Sequence, residues 1–140
     1  MSLETWEKEF YPSPASSVAR ESTLACLDHS IQKWRGLSPA NLKRHGLFAE
    51  DGFVEPIGRV GDDVFSVTCV TCSLCRKFLG PNGQDCGGCP LFKARGMIRC
   101  DRMMSEELDS PYNLFAGVAD NKPMLKWLKK TKKLFVEGKL

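Results

Sequence analysis

The stretch that organises this chain is residues 72–100, which reads CSLCRKFLGPNGQDCGGCPLFKARGMIRC. It contains two Cys-x-x-Cys pairs, Cys72 with Cys75 and Cys86 with Cys89, and it ends at a further cysteine, Cys100. Each pair can form a tight turn that aims two sulfurs at one point, and four thiolates satisfy a tetrahedral Zn²⁺ ion. We therefore predict a zinc-ribbon or knuckle-like site of four cysteines, with Cys72, Cys75, Cys86 and Cys89 as ligands and Cys100 as the alternative ligand.

Two other uses of these cysteines remain open. Cys69, Cys72 and Cys75 have the even spacing of ferredoxin cysteines, and Cys89 precedes a proline, so an iron–sulfur cluster is the alternative cofactor. Against it, the ferredoxin Cys-Pro follows the third cysteine closely, whereas Cys89 lies much farther along the chain. The Cys86–Cys89 pair also resembles a redox-active dithiol, but no strong strand precedes it.

The composition indicates one small domain whose cysteines are not paired in disulfides. The chain has 140 residues, 42% of them hydrophobic, which fits a domain with a modest core. Seven cysteines, an odd number, argue against a fully paired disulfide framework. The charged N-terminus lacks the apolar core of a signal peptide, and no run of about eighteen apolar residues is present. We expect a cytoplasmic protein without a membrane partner, in which cysteines bind metal.

The apolar pattern predicts a helix-rich α+β fold, with residues 21–140 forming a single domain. Leu24, Leu27, Ile31 and Trp34 recur at helical spacing, which predicts a helix over residues 23–35 that ends at Gly36 and packs near the C-terminal helix. The other predicted elements are a β-hairpin of residues 53–60 with 64–70, short helices over residues 38–45, 91–95 and 110–118, and a basic helix over residues 122–136, with the metal-binding segment at residues 69–100.

Residues 1–20 are predicted to form an irregular N-terminal arm. Pro12 and Pro14 disfavour helix at and before their own positions. The arm nevertheless contains Trp6, Phe10 and Tyr11, whereas disordered segments are poor in aromatic residues. We therefore expect it to pack on the body of the domain.

The net charge of +3 is unevenly distributed along the chain. Residues 121–140 contain seven lysines and one acid, for a charge of +6, which leaves −3 on the rest. Such a helix either solvates the domain or contacts an anionic partner, which is a protein surface or a nucleic acid. Because the helix has no arginine, a nucleic acid would be held through its phosphates. The candidate partner-binding residues are Lys126, Trp127, Lys129, Lys130 and Lys133.

The sequence lacks the common catalytic patterns. Its two histidines, His29 and His45, both precede the cysteine-rich segment. Neither a metallohydrolase His-Glu-x-x-His string nor a zinc-deaminase signature is present, and no glycine-rich phosphate loop occurs. A zinc ion held by four cysteines has no open coordination position. We therefore expect no enzymatic activity.

Several strings of the sequence together carry a resemblance to a known group of proteins. They are WEKEFYP at residues 6–12, LDHSIQKWRGL at 27–37, NLKRHGL at 41–47, CSLC at 72–75 and CGGCPL at 86–91, followed by Cys100 and Ser110-Pro-Tyr. The chain resembles small cysteine-rich accessory proteins of tailed bacteriophages and prophages, a group without a settled activity. The resemblance implies a non-enzymatic phage protein that acts in the bacterial host cytoplasm on a host protein or protein complex, with a bacterial defence system as the candidate target. The alternative function is a nucleic-acid-binding accessory protein that uses the lysine-rich C-terminal helix.

Overall fold

The computed structural model describes residues 2–58, 64–79, 86, 88–101 and 110–140. Within these residues, helices combine with a three-stranded antiparallel sheet, so the predicted α+β class is confirmed. The helices are α1 (Leu3–Phe10), α2 (Ala15–Val18), α3 (Thr23–Gly36), α4 (Pro39–Arg44), α5 (Ser73–Phe78), α6 (Pro90–Ala94), α7 (Pro111–Val118) and α8 (Lys122–Val136), with a 3-10 turn over Cys69–Thr71. The strands are β1 (Leu47–Glu50), β2 (Phe53–Pro56) and β3 (Phe65–Ser66).

The first twenty residues are more regular than the sequence pattern predicts. A capping box starts α1, because the Ser2 hydroxyl accepts the Thr5 N–H at 3.1 Å and the Thr5 hydroxyl accepts the Ser2 N–H at 2.9 Å. The prediction of an irregular arm is therefore wrong for residues 3–10 and 15–18. Pro12 lies beyond the end of α1, and Pro14 is the residue that caps the start of α2, so neither proline interrupts a helix.

The close approach of α1 to α3 explains the glycine at the end of α3. The Trp6 side chain of α1 is fully buried, and its indole N–H donates to the Gly36 carbonyl at 2.8 Å. A Cβ atom at position 36 would overlap the ring of Phe10. Gly36 is thus required by contact between two helices, and its backbone is not in the left-handed conformation of a usual helix-ending glycine.

The sheet is built mainly on the hairpin of β1 and β2, whereas the predicted hairpin was residues 53–60 with 64–70. β1 pairs with β2 across Asp51-Gly52, and both residues have positive φ, as a two-residue hairpin turn of the primed type requires. Of the predicted hairpin, only the pairing of residues 53–54 with 65–66 occurs in the described residues. Residues 59–63, which include its predicted turn, lie outside them. The missed signal was the Asp-Gly dipeptide between two short apolar runs.

Helices α3 and α8 pack side by side in antiparallel orientation. At one end the Asn121 side-chain amide donates to the Trp34 carbonyl at 2.9 Å, and farther along α8 Lys132 pairs with Asp28 at 2.6 Å. The predicted burial of the α3 face holds for Leu27, Ile31 and Trp34, whereas Leu24 is 37% exposed. On its side α8 buries Met124, Leu128 and Thr131. Two helices distant in sequence therefore share one core.

Truncation of Leu27 tests this shared core. Because Leu27 is fully buried, Leu27→Ala is expected to lower the free energy of unfolding by about 2–5 kcal/mol, through lost contacts and the cavity left behind. Leu24→Ala on the same helix is the matched control, with an expected loss below about 0.5 kcal/mol, since surface changes have little effect. Urea unfolding of both variants measures the difference. Equal losses would contradict the burial of Leu27.

Candidate functional site

A cavity of about 250 Å³ lies where the cysteine-rich segment meets the helical core. On the core side, α3 contributes Trp34 and α8 contributes Met124 and Leu128 to its wall. On the other side, its wall contains five of the seven cysteines, namely Cys69, Cys72, Cys75, Cys86 and Cys100. The structure thus brings most of the predicted metal ligands to one place.

Two short helices and a tight turn position these cysteines. Cys72 caps the start of α5, Cys75 lies in its first turn, and Cys89 caps the start of α6. The Cys89 N–H donates to the Cys86 carbonyl at 2.9 Å, which closes the turn between them. The Cys100 carbonyl accepts the N–H of Tyr112 at 3.2 Å, and this bond ties the end of the segment to α7.

Helix α5 contacts the core through residues other than its cysteines. The buried Ser73 hydroxyl donates to the Cys26 carbonyl of α3 at 3.0 Å. Leu74 is also buried. Since Ser73 and Leu74 lie between Cys72 and Cys75, these two residues help to place the Cys-x-x-Cys pair against α3.

Proximity and burial give the cysteines different pKa values. The pKa of Cys72 is lowered, chiefly because the neighbouring Cys75 thiol stabilises its thiolate, with the Lys33 ammonium adding to the effect. The pKa of Cys75 is raised by the same pairing with Cys72 and by burial. Burial raises the pKa of Cys89 to about 11 and that of Cys100 to about 12, and the Cys72 charge adds to both. These shifts favour the thiol form of Cys75, Cys89 and Cys100 and the thiolate form of Cys72.

Lys33 is a site residue that the sequence analysis missed. It lies on α3 with only 1% of its surface exposed, and its ammonium donates to the Thr71 carbonyl at 3.0 Å. Burial lowers its pKa, whereas the facing thiols Cys72, Cys75 and Cys100 raise it. A possible signal was helical spacing, because Lys33 shares a face of α3 with Cys26 and Ser30, which are both buried.

The cysteines line the cavity but do not converge on one point. In the part of the chain that the structure describes, no three His, Cys, Asp or Glu side chains form a group that could hold a metal ion. A zinc–sulfur bond is about 2.3 Å long, so a cavity of this size would have to close by rotation of the cysteine side chains. The zinc-ribbon element of the predicted fold is not supported, because Cys72 and Cys89 begin short helices rather than lying in strand turns.

Both histidines lie outside the lining of the cavity. His29 places its Nε2 atom 2.8 Å from the Ser13 carbonyl, and His45 lies between the Thr5 hydroxyl at 2.9 Å and a Glu9 carboxylate oxygen at 2.7 Å. Glu9 also accepts a bond from Arg44, which lowers the pKa of its carboxyl, as does His45. These contacts join α1 and the segment after it to α3 and to the end of α4.

The predicted partner-binding lysines of α8 form a stripe. Lys126, Lys129, Lys130 and Lys133 are exposed, and at about 100° per residue they share one face, opposite the buried Met124 and Leu128. Trp127 is half-buried. The centroid of its ring lies 4.9 Å from the Lys130 ammonium and 5.7 Å from the Arg95 guanidinium, so the face of the indole is already in contact with cations.

Comparisons with protein-family models, with curated proteins and with solved structures found no match. Among the helices of the described segments, none combines the length and the apolar character needed to cross a bilayer.

Proposed function

We propose that this chain is a non-enzymatic zinc-binding protein in which the metal joins the cysteine-rich segment to the helical core, and in which the basic surface of α8 binds a partner. The observation that carries the proposal is the gathering of Cys72, Cys75, Cys86 and Cys100 around one cavity, with Cys89 close enough to alter their titration. The proposed ligands are Cys72 and Cys75 together with two of the other three.

The chemistry of the site favours zinc. Thiols are the donors that structural zinc selects, and a four-thiolate site carries excess negative charge. Lys33 faces the same thiols and offsets part of that charge. When bound, the metal would supply structure and no reaction, because such a site has no position for a substrate. A cavity of about 250 Å³ also has room for an iron–sulfur cluster, which therefore stays the alternative cofactor.

We propose that the partner is a protein of a bacterial host and that this chain binds it in the host cytoplasm. The resemblance to phage accessory proteins supports this choice and makes a component of a defence system the candidate target. The basic stripe of α8 is compatible with contact to an acidic protein surface or to a nucleic acid. Nucleic acid is the second candidate, but the engagement of Trp127 with Lys130 and Arg95 weakens base stacking.

Metal content of the purified protein tests the zinc centre. We expect about one zinc per chain by elemental analysis when no metal is added during purification. Iron together with visible absorption would show that the cofactor is an iron–sulfur cluster and not zinc. Absence of both metals would refute a metal centre. Cys69→Ser separates the two cofactors further, because Cys69 belongs to the ferredoxin-like spacing but not to the zinc ligands.

A further inference from the structure

A second groove runs between α3 and α8, and two lysines of the stripe, Lys129 and Lys133, belong to its lining. Its volume is about 750 Å³, and it is lined by Asp28, Ile31, Gln32 and Arg35 of α3, by Lys129, Lys132, Lys133 and Val136 of α8, and by Glu137 just after α8. The spacings on both helices are those of one helical face. We call it the α3–α8 groove. Its two walls are parallel stripes of a helix pair, which is the shape that a third helix occupies in a bundle.

The charge in the groove is mostly unbalanced and positive. Both of its carboxylates have partners, because Asp28 pairs with Lys132 at 2.6 Å and Glu137 pairs with Lys139 at 2.9 Å. Arg35, Lys129 and Lys133 have no carboxylate partner within the described part of the chain. Among the described residues, the groove therefore presents to a bound molecule three cations that lack a carboxylate partner.

One end of the groove contains an exposed apolar side chain beside Glu137. Val136 lies in its lining and is 65% exposed. Leu24 continues the stripe of Asp28 and Arg35 along α3, and the antiparallel packing brings it level with the end of α8. The groove thus has the exposed side chain of Val136 at one end, with Leu24 just beyond its lining, and the guanidinium of Arg35 toward the other end.

We propose that the α3–α8 groove binds an acidic amphipathic helix of a partner protein. Carboxylates of that helix would pair with Arg35, Lys129 and Lys133, and its apolar side chains would cover Leu24 and Val136. This rests on the proposed partner-binding function and names the class of partner. A nucleic acid fits less well, because its phosphates would pair with the cations but would leave the exposed apolar side chain of Val136 uncovered.

A binding assay with defined probes tests the groove. The probe is a fluorescein-labelled helical peptide of about five turns, with leucines along one stripe and glutamates beside it, measured by anisotropy. A scrambled peptide and a single-stranded DNA of similar charge are the comparisons. Arg35→Glu with Lys129→Glu changes the groove. Lys126→Glu with Lys130→Glu is the matched control, since it makes the same charge change outside the groove.

The expected result is specific to the groove. The helical peptide binds more tightly than the scrambled peptide or the DNA, and the groove variant weakens binding by about tenfold or more, against about threefold or less for the control. Equal weakening by both variants would overturn the groove but keep the basic stripe as the binding surface. Tighter binding of DNA than of the helical peptide would overturn the proposed partner. Metal content of the same samples reports separately on the zinc centre.

Discussion

Replacing Cys75 with serine is expected to abolish stoichiometric zinc binding and to leave much of the chain unfolded. Serine is a poor zinc ligand, so the site keeps at most three thiolates. Structural zinc contributes on the order of 10 kcal/mol to folding, whereas a whole domain is stable by about 5–15 kcal/mol. Elemental analysis with thermal melting by circular dichroism measures both effects.

Cys69→Ser is the control for this experiment. Cys69 also lines the cavity, but it is exposed to solvent and is not a predicted zinc ligand. We expect it to keep its zinc and its melting temperature. If Cys75→Ser melts like the unmodified protein, the metal is not structural.

Serine replacement of Cys86, Cys89 and Cys100, one at a time, identifies the remaining two ligands. Of these three variants, only the one that changes the non-ligand cysteine is expected to retain zinc.

Trp6→Ala is expected to lower the free energy of unfolding by about 3–5 kcal/mol. The side chain is fully buried, its ring contacts Phe10 and Phe65 at centroid distances of 6.0 and 5.0 Å, and its N–H bonds the Gly36 carbonyl. The effect is large because one residue joins α1, α3 and the sheet. Denaturant unfolding monitored by circular dichroism measures it.

Trp6→Phe separates the hydrogen bond from the packing. It keeps an aromatic ring but leaves the buried Gly36 carbonyl without its donor, for an expected cost of about 1–3 kcal/mol. This loss should be clearly smaller than that of Trp6→Ala. If removing the whole side chain costs less than about 1 kcal/mol, the N-terminal helix does not belong to the cooperative core.

The helices were predictable where the chain carries local signals. Ser22, Ser38 and Ser110 cap α3, α4 and α7, because each hydroxyl accepts the backbone N–H of the residue three positions later. Each cap can be predicted from a few neighbouring residues. Periodicity located the buried face of α3 for the same reason. The start of α1 was missed because Ser2 and Thr5 form a capping box with threonine in place of the usual acid or amide, and prolines follow closely.

The candidate site was predictable in composition but not in arrangement. The spacing of Cys72, Cys75, Cys86 and Cys89 indicated a metal site, since each pair acts over one turn of chain. Spacing gave Cys100 only as an alternative ligand to Cys86 or Cys89, because its position also depends on the hydrogen bond between Cys100 and Tyr112 of α7. Spacing could not reveal Lys33, whose burial results from contact between α3 and residues far along the chain.

The amino-acid sequence by itself determined the α+β class and the positions of α3, α4 and α7, because periodicity and short-range hydrogen bonds govern them. It also determined the concentration of thiols in one segment, which is a matter of composition. Only the tertiary structure decided that most of the thiols line one cavity, that Gly36 makes room for Phe10, and that Lys129 and Lys133 of the stripe also line the α3–α8 groove. These features depend on contacts between elements distant in sequence, and such contacts are set by the packing of whole faces rather than by any local pattern.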